Sequence, residues 1–158
     1  MVANFYTDLN KAKAAEELVY NILCEKSKDY NFKWVGDQRE YFYKGDILAI
    51  AQDGREIGIE VKNDSRIGET RNVLCEYKVF YWDSGTYGKG NMESDYDIYC
   101  IVSASTREIF IIDFHKLKEI YTKGFRKVIP HVDQDTYCYL LPLSIVEKYN
   151  ALITTLQF

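Results

Sequence analysis

Two runs of apolar residues at every second position lie near the middle of the chain. Residues 47, 49 and 51 and residues 57, 59 and 61 are all apolar, and Gln52-Asp53-Gly54 lies between the two runs. A period of two is typical of a strand with one buried face, and Asp-Gly between such runs indicates a hairpin turn. The pattern predicts two antiparallel strands, Glu40 to Ala51 and Arg55 to Asn63.

The length of the hairpin loop decides which side chains share a face. A two-residue loop would pair Asp46 with Val61 and place Glu60 on the opposite face. A three-residue loop, with Gly54 in the left-handed bulge position, pairs Ala51 with Arg55 and sets Asp46 across from Glu60. Only the three-residue register collects the apolar residues on one face, so it is the one that a half-buried sheet favours. It places Asp46, Glu60 and Lys62 together on the other face.

Two carboxylates beside an ammonium group form a typical site for a hard divalent cation. Directly opposed residues hold their Cβ atoms about 5 Å apart, so Asp46 and Glu60 can bind one Mg²⁺ or Mn²⁺ ion. The carbonyl of Val61 could supply a further oxygen ligand, and Lys62 could orient an attacking water or stabilise a phosphorane-like transition state. The alternative is a surface hairpin whose acids form weak ion pairs with Lys62.

The order Gly45-Asp46, a spacer, then Glu60-Val61-Lys62 resembles the motif of the PD-(D/E)xK nuclease superfamily, with Gly45 where Pro is usual. The resemblance implies a restriction-endonuclease-like α/β fold, with an αβββαβ core and a central mixed sheet flanked by helices. It also implies Mg²⁺- or Mn²⁺-dependent hydrolysis of DNA, with Asp46 and Glu60 as metal ligands and Lys62 assisting the water. The length of 158 residues fits one domain of this type.

The same resemblance suggests two accessory acids. In this superfamily a glutamate of the first helix often joins the metal site, and Glu16, followed by Val19 and Leu23, matches its usual spacing. In some members the third strand carries another acid, which is Glu76 here. The alternative is that Glu16 is a solvated residue at the edge of the helix and takes no part in the metal site.

Basic residues cluster just beyond the motif. Arg66 and Arg71 are the candidates for contacting nucleic-acid phosphates, and the alternative for both is solvated surface. A single site cuts one strand, so a double-strand cutter would need two copies, and a homodimer is expected.

The remaining pattern predicts the other elements of the fold. Three helices are predicted: Leu9 to Lys26 capped by Asp8, Phe114 to Lys123 capped by Asp113 and ended by Gly124, and a closing helix from Ile145 to Leu156 capped by Ser144. Further strands are predicted at Phe32–Val35, Asn72–Trp82, Tyr96–Ser103, Glu108–Ile112 and Tyr137–Leu141, and the third strand of the core, Asn72–Trp82, also fits a helix. A loop is predicted from Asp83 to Ser94.

The composition and the spacing of residues argue against several other classes of protein. The four cysteines have no metal-ligand spacing and are expected to be reduced thiols. Neither His115 nor His131 has ligand spacing, which argues against zinc and Ser-His-Asp hydrolases. No apolar run is long enough for a membrane span and no export signal follows Met1, so a cytoplasmic protein is expected. The net charge of −4 leaves open a second hypothesis, a nuclease-fold binding or assembly protein that no longer cleaves.

Overall fold

A computed structural model describes residues 2–81, 83–124, 127–128 and 136–158. The helices are α1 (Val2–Lys26), α2 (Ile67–Thr70), α3 (Phe114–Thr122) and α4 (Leu143–Lys148). The strands are β1 (Tyr30–Trp34), β2 (Ile47–Ala51), β3 (Glu56–Asn63), β4 (Asn72–Tyr81), β5 (Thr86–Lys89), β6 (Ile98–Ser103), β7 (Glu108–Asp113), β8 (Lys127–Val128), β9 (Thr136–Pro142) and β10 (Leu152–Gln157). Residues Arg39–Tyr41 and Asn91–Glu93 form short 3₁₀ turns.

The strands form two sheets. A six-stranded sheet has the order β1-β2-β3-β6-β7-β10, and a four-stranded sheet has the order β5-β4-β9-β8. In the larger sheet β3 and β6 run parallel, and every other neighbouring pair is antiparallel. The prediction of an α/β fold with a mixed sheet is therefore confirmed. The third strand of the hypothetical core, β4, instead pairs with β9 in the second sheet.

Apolar side chains cover both faces of the six-stranded sheet. On one face, Ala15 and Val19 of α1 pack against residues such as Ile47 and Ile59. On the other face, the second sheet and the remaining helices share a core with β6 and β7. This second core contains Val73, Cys75, Tyr99, Ile101, Phe110, Ile112, Leu117, Leu141 and Val146. Strand β6 consequently lies between two packed layers, whereas β3 packs against α1 on one face and carries Glu60 and Lys62 on the other.

The hairpin has the predicted register. Ile47 pairs with Ile59 and Ala49 with Ile57, and the Ala51 N–H donates to the Arg55 carbonyl at 2.9 Å. Gly54 has φ +83°, in the left-handed region that a three-residue loop with a bulge requires. The first strand is shorter than predicted, because residues 39–41 form a 3₁₀ turn and β2 begins at Ile47.

Three other predictions on secondary structure were wrong in part. Helix α1 begins at Val2, so Asp8 lies inside it and does not cap it. The loop predicted from Asp83 to Ser94 contains strand β5 and a 3₁₀ turn. The closing helix ends at Lys148 and is not capped by Ser144, since the N-cap position is Pro142.

The rest of the predicted closing helix is the edge strand β10. Asn150 has φ +56°, which interrupts the helix, and Ile153, Thr154 and Thr155 favour extended backbone. Residues Trp82 and His131, for which the sequence made predictions, lie outside the described residues.

All four cysteines are free, and Cys75, Cys100 and Cys138 are buried. Within the described ranges, no helix combines the length and the apolar character needed to cross a bilayer.

Helix α3 begins as predicted, because the Asp113 carboxylate accepts a hydrogen bond from the Lys116 N–H at 3.0 Å. Asp113→Ala is expected to lower the free energy of unfolding by about 1 kcal/mol, since it removes this cap. Asp113→Asn keeps an acceptor oxygen and serves as the control. Urea denaturation followed by circular dichroism measures both variants. Equal losses in the two variants would contradict the capping role.

Candidate metal site

Asp46 directly precedes β2, and Glu60 lies on the neighbouring strand β3. The Asp46 N–H donates to the carbonyl of Ile59 at 2.9 Å, beside the last pair of the ladder, Ile47 and Ile59. Asp46 Oδ2 accepts a hydrogen bond from the Val61 N–H at 2.9 Å. Glu60 immediately precedes Val61 on β3, and the charge of Asp46 acts on the Glu60 carboxyl group. The backbone hydrogen bonds of the sheet thus hold the two acids close together.

The contact between two acids makes Glu60 hard to ionise. Burial, followed by the negative charge of Asp46, raises the pKa of Glu60 to about 8. Lys62 opposes this rise, while Glu16 and Glu76 add to it. Burial also raises the pKa of Asp46, against the hydrogen bond from the Val61 N–H. At neutral pH without a cation, the pair therefore retains a proton.

Lys62 reaches from the large sheet to the small one. Its Nζ lies 3.3 Å from Glu76 Oε2 on β4, and the two side chains are 36% and 19% exposed. Burial lowers the pKa of the Lys62 ammonium, but Glu76 and then Glu60 outweigh burial and raise it. Lys62 is therefore cationic and lies beside the carboxyl pair, as the sequence predicted.

Glu16 approaches the site from helix α1. Its Oε2 accepts a hydrogen bond of 2.8 Å from Nε1 of Trp34. Burial raises the pKa of Glu16, and Asp46 is the next largest cause. Glu16 therefore lies within electrostatic reach of Asp46, although it comes from a distant part of the chain. The structure brings five of the predicted site residues together: Glu16, Asp46, Glu60, Lys62 and Glu76.

The Val61 side chain is buried in the core beneath α1, and its N–H binds Asp46 Oδ2. The role of its carbonyl as a metal ligand stays a prediction.

The two predicted phosphate-binding arginines lie in different grooves. Arg66 lines a groove of about 760 Å³ together with Lys62, Glu76 and Lys11. Arg71 lines another groove, where its guanidinium pairs with the buried Glu108 at 3.4 Å and lies over the ring of Phe110. Arg66 is thus next to the candidate site, whereas Arg71 is engaged elsewhere.

Sequence reasoning missed two residues that contact the acids. Tyr96 is 7% exposed and lies close to Glu60, and burial, followed by the charge of Glu60, raises the pKa of its phenol to about 12. Trp34 holds Glu16, as described above. Neither residue has a spacing that links it to the acidic motif. The only available signal in the sequence was that tyrosine and tryptophan carry a polar group, which usually has a hydrogen-bond partner when the side chain is buried.

Gly45 accounts for the departure from the usual motif. Its φ is +100°, and a Cβ at this position would lie 2.5 Å from the Ile59 carbonyl oxygen. Proline holds φ near −65° and cannot adopt this conformation. The glycine therefore allows the chain to turn closely against β3 directly before Asp46.

The donor chemistry fits a hard divalent cation, because carboxylate oxygens are the ligands that Mg²⁺ and Mn²⁺ prefer. Across the described part of the chain, no three His, Cys, Asp or Glu side chains are arranged as a ready metal cage. The two neighbouring acids retain a proton at neutral pH because the pKa of Glu60 is raised to about 8, and a divalent cation could take the place of that proton.

No protein-family model, curated protein or solved structure matches the chain. The resemblance to PD-(D/E)xK nucleases accordingly stays a prediction.

The raised pKa of Glu60 predicts a pH dependence of stability in metal-free protein. Between its ordinary value of 4.5 and its folded value of about 8, the folded state binds the proton more tightly than the unfolded state does. The free energy of unfolding should therefore decrease as pH rises through this window, by on the order of a few kcal/mol, and level off above it.

Chemical denaturation of metal-free protein between about pH 5 and about pH 9 measures this effect. Glu60→Gln has no proton to lose and should flatten the profile. A wild-type profile as flat as that of Glu60→Gln would contradict the assignment of the shared proton.

Proposed function

We propose that this protein is a Mg²⁺-dependent nuclease that hydrolyses phosphodiester bonds of DNA. The carrying observation is that Asp46, directly before β2, is bonded to β3 on either side of Glu60, at Ile59 and Val61, with the Lys62 ammonium close to both acids. A divalent cation would stabilise the ionised form of these buried acids, because its charge offsets both their loss of hydration and their mutual repulsion.

A bound Mg²⁺ or Mn²⁺ ion would polarise the phosphate and lower the pKa of a water. The residues of the chain would hold this ion and assist the attacking water. Asp46 and Glu60 would hold the cation once the shared proton has left. Lys62 would donate hydrogen bonds to the attacking water and stabilise negative charge developing on the phosphate. Its ion pair with Glu76 fixes the direction from which it does so.

The other predicted residues take accessory roles in this proposal. Glu16 and Glu76 are accessory acids, and the Val61 carbonyl is a further ligand. Arg66, at the groove, would contact a phosphate of the substrate. A contact from Arg71 would have to compete with its ion pair to Glu108. Cleavage of both strands of a duplex would require a homodimer.

Asp46→Ala and Lys62→Ala should each reduce the rate of DNA cleavage in Mg²⁺ by at least about 100-fold, because each removes a group that acts on the reacting phosphate. Cleavage of labelled DNA by purified protein provides the measurement, and circular dichroism verifies the fold. Asp29→Ala, at an exposed position after helix α1, and Lys33→Ala, on the exposed side of β1, are matched controls and should keep full activity. Full activity in either site variant would refute the nuclease assignment.

A second candidate is a nuclease-fold binding or assembly protein without cleavage. The 3.3 Å ion pair that engages Lys62 with Glu76 and the net charge of −4 favour it. Calorimetric titration with Mn²⁺ separates the two functions. A nuclease should bind Mn²⁺ stoichiometrically, and Asp46→Ala or Glu60→Ala should abolish that binding. A protein that only binds a partner or assembles should show no stoichiometric binding of Mn²⁺ that depends on these two acids.

A further inference from the structure

The segment from Trp34 to Asp37 links helix α1 to Asp46. Trp34 Nε1 donates to Glu16 Oε2 at 2.8 Å, and Asp37 pairs with Lys13 at 3.3 Å, one turn before Glu16. The Val35 N–H donates to the Asp46 carbonyl at 2.8 Å. The segment is thus tied to the helix by two side-chain contacts and to Asp46 by a backbone hydrogen bond.

The Trp34 side chain is held in place on its other side as well. Its ring stacks on Tyr20, with ring centroids 6.2 Å apart and planes at 30°. The indole therefore presents its N–H in a fixed direction while the ring itself remains 37% exposed. A hydrogen bond from such a donor confines a glutamate that would otherwise extend into water from the edge of the helix.

Gly36 leaves the space in which Glu16 and Asp46 approach each other. A Cβ at residue 36 would lie 3.0 Å from Glu16 Oε2 and 3.1 Å from Asp46 Oδ1, and Trp34 Nε1 would be the next atom at 3.5 Å. The three nearest atoms thus all belong to the two acids and to the donor that holds one of them. The φ of Gly36 is outside the left-handed region, so alanine would fit the backbone and intrude only on these groups.

We propose that Trp34 is a positioning residue that holds the Glu16 carboxylate toward Asp46 through its indole N–H, and that Gly36 keeps the space between the two acids open. This inference rests on the proposed function, since the purpose of the arrangement is to present a third carboxylate to the cation at Asp46 and Glu60. Residues of this kind fix the orientation of metal ligands and affect affinity without binding the metal themselves.

The experiment is calorimetric titration of the whole chain with Mn²⁺. Trp34→Phe keeps an aromatic ring against Tyr20 but removes the donor, and Gly36→Ala adds the intruding methyl group. Each should weaken Mn²⁺ binding by about 10-fold or more and leave the thermal midpoint close to that of wild type. Tyr20→Leu, which disturbs the packing of the ring but keeps the N–H, is the control and should weaken binding less than Trp34→Phe.

A double-mutant cycle shows whether Trp34 acts through Glu16. Glu16→Ala should weaken Mn²⁺ binding, and adding Trp34→Phe to it should produce no further loss. If wild type binds Mn²⁺ and Trp34→Phe binds equally well, the positioning role is refuted while the proposed function stands. An undiminished effect of Trp34→Phe in the Glu16→Ala background also refutes it. A wild type that binds no Mn²⁺ removes the proposed function and this inference together.

Discussion

The position of β3 between β2 and β6 is the constraint on which the rest of the structure depends. Antiparallel pairing on one side and parallel pairing on the other leave Glu60 no freedom to move out of the sheet. The register with β2 ends at Ile47 and Ile59, and the bonds of Asp46 to Ile59 and Val61 then bring it beside Glu60. Two acids that repel each other are consequently kept in contact by backbone hydrogen bonds, which are numerous and cooperative, while the repulsion is local.

Neighbouring groups offset part of the electrostatic repulsion between these two acids. Lys62 supplies positive charge from two residues beyond Glu60, and the Val61 N–H supplies a hydrogen bond to Asp46. Tyr96 lies beside Glu60 in the segment just before β6. None of these removes the excess of acid over base, because Glu16 and Glu76 add to it. An arrangement with more buried acid than a stable core requires is typical of sites that bind cations or move protons.

The hairpin could be predicted from sequence because its determinants are local. Gln52-Asp53-Gly54 sets the loop, the apolar residues select the buried face, and these two facts give the register of Ile47 with Ile59 that brings Asp46 close to Glu60. Longer-range features had no such signal. The apolar pattern of β4 predicted a strand but could not show that its partner is β9, sixty residues away by rough count, and nothing near Trp34 indicates that it contacts Glu16.

Local patterns also failed where they were ambiguous. The apolar residues from Ile145 to Leu156 fit a helical period, but Asn150 adopts a left-handed conformation, and the chain continues as the edge strand β10. The first strand was predicted too long for a related reason, since the residues before Gly45 form turns that an apolar count does not detect.

The pairing of β4 with β9 also has a consequence for the order of assembly. Glu76, the partner of Lys62, lies on β4, which pairs with the nearby strand β5 and with β9, a strand much later in the chain. On the ribosome, the hairpin that carries Asp46 and Glu60 emerges well before β9 is synthesised, and contacts between distant segments form late. The nascent chain therefore holds its central acids before β4 and β9 can pair, and the strand that anchors the basic side chain beside them gains its second neighbour only after β9 has emerged.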